Sequence, residues 1–207
     1  MTVHAIGDEA NDTVLDIFAE TARKNGERDR RFRIEHAQHL APGAWEKMAK
    51  QKVIASVQPY HAADDGRWAI KRIGEERLNR TYAFKTLLDA GVITCFGSDW
   101  PVAPVSPMTG VDAAVRRKTI DGANPDGWYP EQRVSIEKTL IAYTSVAAYA
   151  GFQEDRLGRL APGYMADMVV LDRDLLTIAP DQYLGAEVLR TFVDGVERFA
   201  APSVKPQ

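Results

Sequence analysis

Four short apolar segments recur at regular intervals along the first part of the chain, and stretches with helical periodicity separate them. The segments span residues 2–6, 32–36, 53–57 and 92–96, and the mean distance between their starts is about 30 residues. A strand–helix–strand unit with parallel strands takes about this length, because the chain must cross back along the sheet through a helix. The spacing therefore predicts an α/β fold with a parallel sheet and crossover helices.

Helix signals fill the intervals between these strands. Residues 11–25 carry an apolar stripe, and Gly26 suits the position just past a helix end. Pro42 is placed to open the next helix, and residues 75–90 predict another. Residues 64–74 carry mixed signals, and we interpret them as a loop with a helical turn.

The pattern changes after Ser98, where loops become longer and richer in proline and glycine. Ser135 is placed to cap a helix, and the Asp-Gly pair at residues 194–195 is a favoured two-residue turn. The predicted elements are helices over residues 109–120 and 135–150, a strand over residues 168–171, a hairpin over residues 191–199 and a frayed tail over residues 200–207.

Side chains that can bind metal lie at or just after the end of each of the first four predicted strands. His4 and His36 fall at the ends of the first two, and His61 and Asp99 follow the third and fourth. The carboxyl ends of parallel strands meet at one edge, where the active sites of barrels lie. Imidazole and carboxylate groups suit zinc and similar divalent ions. Such an ion lowers the pKa of a bound water to about 7.

Each of these residues also has a purely structural interpretation. A single histidine at a strand end is most often a hydrogen-bonded residue of the following loop. His39 fits a helix entry or a supporting group better than a metal ligand. Asp8 either orients His4 or caps the helix that follows it. Cys95 lies within an apolar strand and is expected to be inert core.

Composition excludes several classes of protein. Hydrophobic residues make up 45% of the chain and charged residues 27%, which excludes disorder as the main state. The 26 basic and 29 acidic residues give a net charge of −3 without a basic cluster, so no nucleic-acid partner is expected. Cys95 is the only cysteine, which excludes a disulfide scaffold. Neither a membrane-spanning apolar run nor a signal peptide is evident, so the expected compartment is the cytoplasm.

Six sequence motifs follow one another in a characteristic order. They are Val-His-Ala-Ile-Gly-Asp at residues 3–8, Ile-Glu-His-Ala-Gln at 34–38, Ser-Val-Gln-Pro with His-Ala at 56–62, Phe-Gly-Ser-Asp-Trp-Pro at 96–101, Gly-Trp-Tyr-Pro-Glu-Gln at 127–132 and Leu-Gly-Arg-Leu-Ala-Pro-Gly with Ala-Asp at 157–167. As a set, they resemble the amidohydrolase superfamily, and more narrowly its YtcJ-like and N-substituted formamide deformylase-like branch. The resemblance covers nearly the whole chain.

The resemblance implies the C-terminal half of a metal-dependent hydrolase (β/α)8 TIM barrel, comprising its strands five to eight, followed by the C-terminal segment of a small β-sandwich domain. The implied boundaries are residues 1–160 for the half-barrel, 161–200 for the β segment and 201–207 for a tail. Enzymes of this kind carry a His-x-His pair at their first strand, and this sequence has none. A whole barrel takes about 250 residues, so four units fit half of one.

By the same resemblance, His4 and His36 are the metal ligands of strands five and six. Asp99 is the strand-eight aspartate, which contacts the metal and acts as the catalytic general base, and His61 contacts the substrate. The implied cofactor is a divalent metal, with zinc the best match. Because these ligands are few, we expect this chain alone to bind zinc weakly or not at all and to hydrolyse amides negligibly.

Two functions follow from this sequence. The resemblance implies hydrolysis of non-peptide C–N bonds by metal-activated water, with a small-molecule amide or formamide as substrate. The alternative is a non-catalytic half-barrel that persists only in association with another chain, because half a barrel leaves two unpaired edge strands. The expected partner is then a second copy of this chain or a separately encoded N-terminal half.

Overall fold

A computed structural model describes residues 1–202 of the protein. Among the described helices, none combines the length and the hydropathy that crossing a membrane requires. Short 3-10 helices lie at Glu75–Arg80, Pro130–Gln132 and Pro180–Gly185. The remaining elements, in chain order, are β1 (Thr2–Ala5), α1 (Asp8–Asn25), β2 (Arg33–His36), α2 (Ala44–Gln51), β3 (Ile54–Val57), α3 (Pro59–Asp65), α4 (Ala69–Ile73), α5 (Phe84–Asp89), β4 (Thr94–Phe96), α6 (Pro107–Arg116), α7 (Ile136–Tyr143), α8 (Ser145–Ala150), β5 (Met168–Leu171), β6 (Val188–Val193) and β7 (Val196–Ala200).

The first four strands form one parallel sheet in the order β1-β2-β3-β4. Val3 pairs with Ile34, Ile34 with Ala55, and Ala55 with Thr94, so neighbouring strands run in step. At least one helix lies in each connection between consecutive strands. The predicted parallel α/β fold is therefore confirmed, and the carboxyl ends of all four strands lie at one edge of the sheet.

Helices cover one face of this sheet. Ile34, Ala55 and Phe96 belong to the same buried cluster as Leu15 of α1 and Met48 of α2. Removing side chains of this kind from water stabilises a fold by about 1.5–3 kcal/mol for each large residue. The apolar stripe of α1 is thus explained by its contact with the sheet.

The opposite face is covered near the amino-terminal ends of the strands. Ile54 and Cys95 pack there against Ala150 at the end of α8. Nη1 of Arg33 donates a hydrogen bond to the Ala150 carbonyl at 3.1 Å. Cys95 is buried, so its side chain is part of the core, as its apolar strand predicts, and burial raises the pKa of its thiol. Helix α8 therefore packs at the end of the sheet opposite the predicted site.

A second, antiparallel sheet contains β5, β6 and β7 in that order. Asp194 and Gly195 join β6 to β7 with φ angles of 52° and 73°. Left-handed conformations at both central positions match the hairpin turn that Asp-Gly favours. The strand and the hairpin predicted for this region are confirmed.

Two predictions between β2 and β4 are wrong for local reasons. Pro42 precedes the helix rather than opening it, because Gly43 adopts a φ of 84° and α2 starts after it. The loop predicted over residues 64–74 is wrong in part. Pro59 occupies the first turn of α3, which runs through the start of that segment, and α4 fills much of the remainder.

Two predicted long helices are each divided. The helix predicted over residues 75–90 becomes a 3-10 helix and α5, with Tyr82 at a φ of 52° between them. The helix predicted over residues 135–150 divides at Thr144 into α7 and α8. Its start is confirmed, because Ser135 caps α7 by accepting a hydrogen bond from a backbone amide at 3.3 Å.

The remaining sequence predictions concern boundaries. The helix predicted over residues 109–120 is α6, which begins and ends earlier than predicted. The division into residues 1–160 and 161–200 stays a prediction. Most of the predicted tail, residues 203–207, lies outside the described residues.

Gly110 in α6 lies against the ring of Tyr143 in α7. A Cβ atom at Gly110 would overlap the Tyr143 hydroxyl oxygen, which is buried and has no hydrogen-bond partner in the described part of the chain. We expect Gly110→Ala to lower the free energy of unfolding by about 1–3 kcal/mol, as overpacking of a core does. Urea denaturation measures this loss.

Gly97→Ala is the matched control, because nothing lies within 4 Å of a Cβ atom built there. We expect it to change the free energy of unfolding by no more than about 0.5 kcal/mol. In a Tyr143→Phe background the cost of Gly110→Ala should shrink, because the overlapping oxygen is gone. Equal costs in the two backgrounds would contradict this account of the α6–α7 contact.

Candidate metal centre

The four polar residues singled out from the sequence lie at the carboxyl edge of the parallel sheet. His4 is in β1, and His36 is the last residue of β2. His61 lies in the first turn of α3, directly after β3, because Pro59 starts that helix two residues earlier. Asp99 follows the end of β4 by three residues. The elements thus position these side chains as the spacing of the strands predicts.

Three of the four residues come close together. His36, His61 and Asp99 each offer one ligand atom, and these atoms all lie within 4.8 Å of one another. Nε2 of His61 lies 3.1 Å from Oδ2 of Asp99. The side chains of His61 and Asp99 are 14% and 35% exposed, so the group opens to solvent on the Asp99 side.

His4 adjoins this group without belonging to it. Its ring centroid lies 4.5 Å from that of His36 in an edge-to-face arrangement. The ring centroids of His36 and His61 are 6.0 Å apart, so His36 stands between the other two histidines. The ligand set implied by the resemblance, which is His4, His36 and Asp99, stays a prediction. The substrate-contacting role of His61 also stays a prediction.

The chemistry of this group fits a divalent metal. Nδ1 of His36 is buried and has no hydrogen-bond partner among the described residues, which is unusual for a purely structural histidine. Two imidazoles and one carboxylate are the donor set of one known class of catalytic zinc site, in which water takes the fourth position. His36, His61 and Asp99 could therefore hold such an ion.

Burial lowers the pKa of His36, and the neighbouring His4 lowers it further. Asp99 and Gln58 act in the opposite direction, but burial has the largest effect. Lowering the pKa favours the neutral imidazole, and the neutral form is the one that binds a metal.

Two of these residues adopt an uncommon backbone conformation. His36 has a φ of 79° and Asp99 a φ of 63°, both in the left-handed region. Residues other than glycine rarely adopt it. Holding one there costs on the order of 1–3 kcal/mol, so the conformation persists only where the surrounding structure enforces it. Such residues cluster at functional sites, where the conformation aims a side chain that ordinary geometry would direct elsewhere.

His39 and Asp8 lie outside the three-residue group. Nδ1 of His39 lies 3.0 Å from Oγ1 of Thr81, so His39 has a supporting position, as predicted. Asp8 is in the first turn of α1, and its carboxylate accepts a hydrogen bond from Arg77 Nε at 3.1 Å. That hydrogen bond lowers the pKa of Asp8. Gly7 is the N-cap of α1, so Asp8 does not cap this helix, and its predicted role in orienting His4 stays a prediction.

Sequence reasoning missed four polar residues, which are Gln38, Gln58, Asp65 and Tyr82. Gln58 is buried and acts on His36, and it stands in the Ser-Val-Gln-Pro motif that could have drawn attention to it. Gln38, Asp65 and Tyr82 form hydrogen bonds between separate segments. Gln38 ends the Ile-Glu-His-Ala-Gln motif, but no local pattern marks Asp65 or Tyr82, because their contacts form only in the folded chain.

A profile of the amidohydrolase family matches residues 1–199. The chain belongs to the amidohydrolase family. This confirms the resemblance on which the sequence interpretation depends. The match extends from β1 through most of β7, so both sheets lie within it.

Three curated relatives share the whole of this region. Protein LONG AFTER FAR-RED 3 of Arabidopsis thaliana is 42% identical over 203 residues, which is 96% of this chain and 34% of that protein. The putative amidohydrolase YtcJ of Bacillus subtilis (strain 168) is 34% identical over 94% of this chain and 36% of its own length. The N-substituted formamide deformylase of Arthrobacter pascens is 32% identical over 96% of this chain and 36% of its own length. The chain spans about a third of the length of these relatives.

A solved structure confirms the architecture. An uncharacterized metal-dependent hydrolase from Pyrococcus horikoshii OT3 superimposes with a TM-score of 0.74 at 34% sequence identity. The match covers 87% of this chain and 35% of the Pyrococcus chain. The parallel sheet with its smaller antiparallel sheet is therefore an arrangement that a metal-dependent hydrolase also contains.

The stability of the protein should depend on pH through His36 and His39. Burial lowers the pKa of both below the ordinary value of 6.5, so the unfolded chain takes up protons that the folded chain resists. We expect the free energy of unfolding to fall as the pH drops below about 6.5, by at most about 1.4 kcal/mol per pH unit for each histidine. Urea denaturation between pH 5 and pH 8 measures this slope.

His39→Gln should flatten this dependence without abolishing it, because His36 still contributes. The glutamine amide can donate to Thr81 as Nδ1 of His39 does, so the neutral contact is retained. A slope for the variant equal to that of the unchanged protein would show that His39 does not resist protonation in the fold.

Proposed function

We propose that this chain carries part of the active site of a metal-dependent hydrolase that cleaves non-peptide C–N bonds. The observation that carries this proposal is the grouping of His36, His61 and Asp99 at the carboxyl edge of the sheet, with Nδ1 of His36 buried and unpartnered. Membership of the amidohydrolase family supports it. The name of the Arthrobacter relative supports small-molecule amides or formamides as substrates.

Zinc is the metal that best suits the nitrogen and oxygen donors of this site. His36, His61 and Asp99 would hold it, and His4 lies close enough to His36 to join them. When bound, such an ion lowers the pKa of water and polarises a carbonyl group. The metal identity and the expected cytoplasmic location are parts of this proposal.

Asp99 is the proton carrier in the proposed reaction. Its carboxylate takes a proton from the attacking water and returns it to the leaving nitrogen. His61 lies 3.1 Å from Oδ2 of Asp99, and this contact orients the carboxylate. The partly exposed position of Asp99 leaves it open to a small substrate, whereas His36 is half-buried.

The site needs more than these residues for efficient catalysis. Catalytic zinc has three protein ligands and a water molecule, and partners that orient each ligand. Because the chain spans about a third of its relatives' length, we propose that residues outside it complete the site.

Zinc binding and activity test this proposal directly. We expect one weak zinc site, which dialysis empties, and negligible hydrolysis of a panel of formamides and acyl amides. His36→Ala and Asp99→Ala should each abolish the binding seen by calorimetric titration, because each removes a donor of the group. Asp174→Asn is the control, since its carboxylate lies in the loop after β5 and outside the group.

Two outcomes would contradict parts of this proposal. Zinc binding that His36→Ala leaves unchanged would show that the ion is held elsewhere. One tightly held zinc per chain with clear turnover would show that the site is complete without further residues.

A second candidate function is association through strand edges. β1 pairs only with β2, and β4 pairs only with β3, so within the described residues each has one unpaired side. Exposed strand edges invite pairing with another chain. We propose that a second copy of this chain, or a separately encoded segment, covers them.

Sedimentation velocity at several concentrations tests this association. We expect species larger than the 23.0 kDa monomer. Thr2→Pro in the outer strand β1 is a suitable probe, because proline cannot donate a backbone hydrogen bond to a pairing strand. Lysine substitutions at Val3 of β1 or Cys95 of β4 are unsuitable, because both side chains pack in the fold. A monodisperse monomer at all concentrations would contradict the need for a partner.

A further inference from the structure

A hydrogen-bond junction connects segments that carry two residues of the candidate metal centre. Asp65, the last residue of α3, accepts two hydrogen bonds at the same oxygen, Oδ2. One comes from Nε2 of Gln38 at 3.0 Å, and the other comes from the Tyr82 hydroxyl at 2.5 Å. Gln38 is 7% exposed and Tyr82 is 2% exposed, so water competes little for these bonds.

The junction joins the two segments that carry the histidines of the centre. Gln38 follows His36 by two residues, in the loop after β2. Asp65 follows His61 by four residues, which is about one turn of α3. A bond between Gln38 and Asp65 therefore fixes the loop that directly follows His36 against the helix that carries His61.

Tyr82 holds the junction from a third segment. Its backbone amide donates to the Gln38 carbonyl at 2.8 Å, and its own carbonyl accepts from Arg117 Nη1 at 2.9 Å. These bonds hold Tyr82 at a φ of 52°, which a bulky residue rarely adopts. The backbone conformation thus directs the Tyr82 hydroxyl toward Asp65.

The hydrogen bonds around the junction form a consistent chain of donors and acceptors. The Thr81 hydroxyl donates to the Arg77 carbonyl at 2.9 Å, which assigns the proton between His39 and Thr81 to Nδ1 of His39. Nε2 of His39 is then an acceptor, 3.2 Å from the Gln38 amide nitrogen. The two amide hydrogens of Gln38 therefore go to His39 and Asp65. Connected hydrogen bonds of this kind restrain the segments that they join.

We propose that Asp65 is a positioning residue, which through Gln38 and Tyr82 sets the separation of His36 and His61. This inference rests on the proposed metal-dependent function, because positioning matters only if the two histidines act together. Displacing a ligand by about an ångström loses the geometry that binding and catalysis need. Partners that orient ligands typically change metal affinity by about 10- to 100-fold when removed.

The experiment compares three substitutions at two carboxylates that accept side-chain hydrogen bonds. Asp65→Ala removes the acceptor, and Asp65→Asn restores one oxygen that both donors can reach. Asp112→Ala is the control, because Asp112 is buried, at 8% exposure, but pairs with Arg116 on α6 instead. Zinc affinity is measured by competition with a weak chromophoric chelator. The histidine ring signals are recorded by NMR without metal, at a temperature where all variants are folded.

We expect Asp65→Ala to weaken zinc binding by about 10-fold or more, and Asp65→Asn to stay within about 3-fold of the unchanged protein. Asp112→Ala should leave the affinity unchanged although it lowers stability. In the metal-free protein, Asp65→Ala should shift the ring signals of His36 and His61, and Asp112→Ala should not. Equal zinc affinity in Asp65→Ala and the unchanged protein would overturn the proposal.

Two further results keep the inference separate from the proposed function. If the unchanged protein binds no zinc, the proposed function fails, and the metal-free ring signals still decide the role of Asp65. Unshifted signals in Asp65→Ala then overturn it. If Asp65→Ala does not fold, Tyr82→Phe removes only the 2.5 Å bond and should weaken zinc binding by a smaller factor. An affinity unchanged by Tyr82→Phe counts against the junction.

Discussion

The in-step pairing of the four parallel strands is the constraint on which the candidate site depends. Ala5 lies opposite His36, and Val57 lies opposite Phe96, so the strands end together. Slipping one strand by a single residue would turn its side chains to the other face of the sheet. The helix-facing side chains resist such a slip, because Ile34 and Ala55 would leave the buried cluster. Core packing on one face thereby fixes where the polar edge residues lie.

Backbone strain is the second requirement of this edge. His36, Asp99 and Tyr82 all adopt left-handed conformations, each of which opposes folding on its own. Hydrogen bonds hold two of them there: the Asp99 carbonyl accepts from the Val102 amide at 2.8 Å, and the Tyr82 amide donates to the Gln38 carbonyl. These bonds are local at Asp99 and long-range at Tyr82. The favourable free energy of packing the sheet therefore offsets the cost of these left-handed backbone conformations.

Features with a short-range physical cause could be predicted from the sequence. The Asp194 and Gly195 turn and the Ser135 cap each depend on a few adjacent residues, and both are confirmed. The strand spacing predicts the parallel sheet for the same reason, since a crossover has a minimum length. The division of the helix predicted over residues 75–90 was beyond such reasoning, because it depends on the bond between Tyr82 and Gln38.

The candidate site, too, could be predicted from the sequence only in part. Histidines and an aspartate at strand ends are visible in the sequence, but which of them meet depends on the loops. His61 approaches Asp99 because α3 begins at Pro59, and no helix is predicted from the sequence over residues 59–63. Asp65 carries no sequence signal, since its two donors lie 27 and 17 residues away. Strand-end chemistry is thus predictable from the sequence, whereas the contacts that support it are not.

The two ligand sets considered for this edge are compatible with each other. If His4 and His36 bind the metal together with Asp99, the 3.1 Å contact from His61 orients that carboxylate, as partners of metal ligands commonly do. If His61 binds the metal instead, His4 remains 4.5 Å from His36 and its ring shields that imidazole. His36 and Asp99 belong to both sets, and both residues have the strained backbone. The sheet register and the backbone conformation therefore converge on His36 and Asp99, the two residues that both ligand sets share.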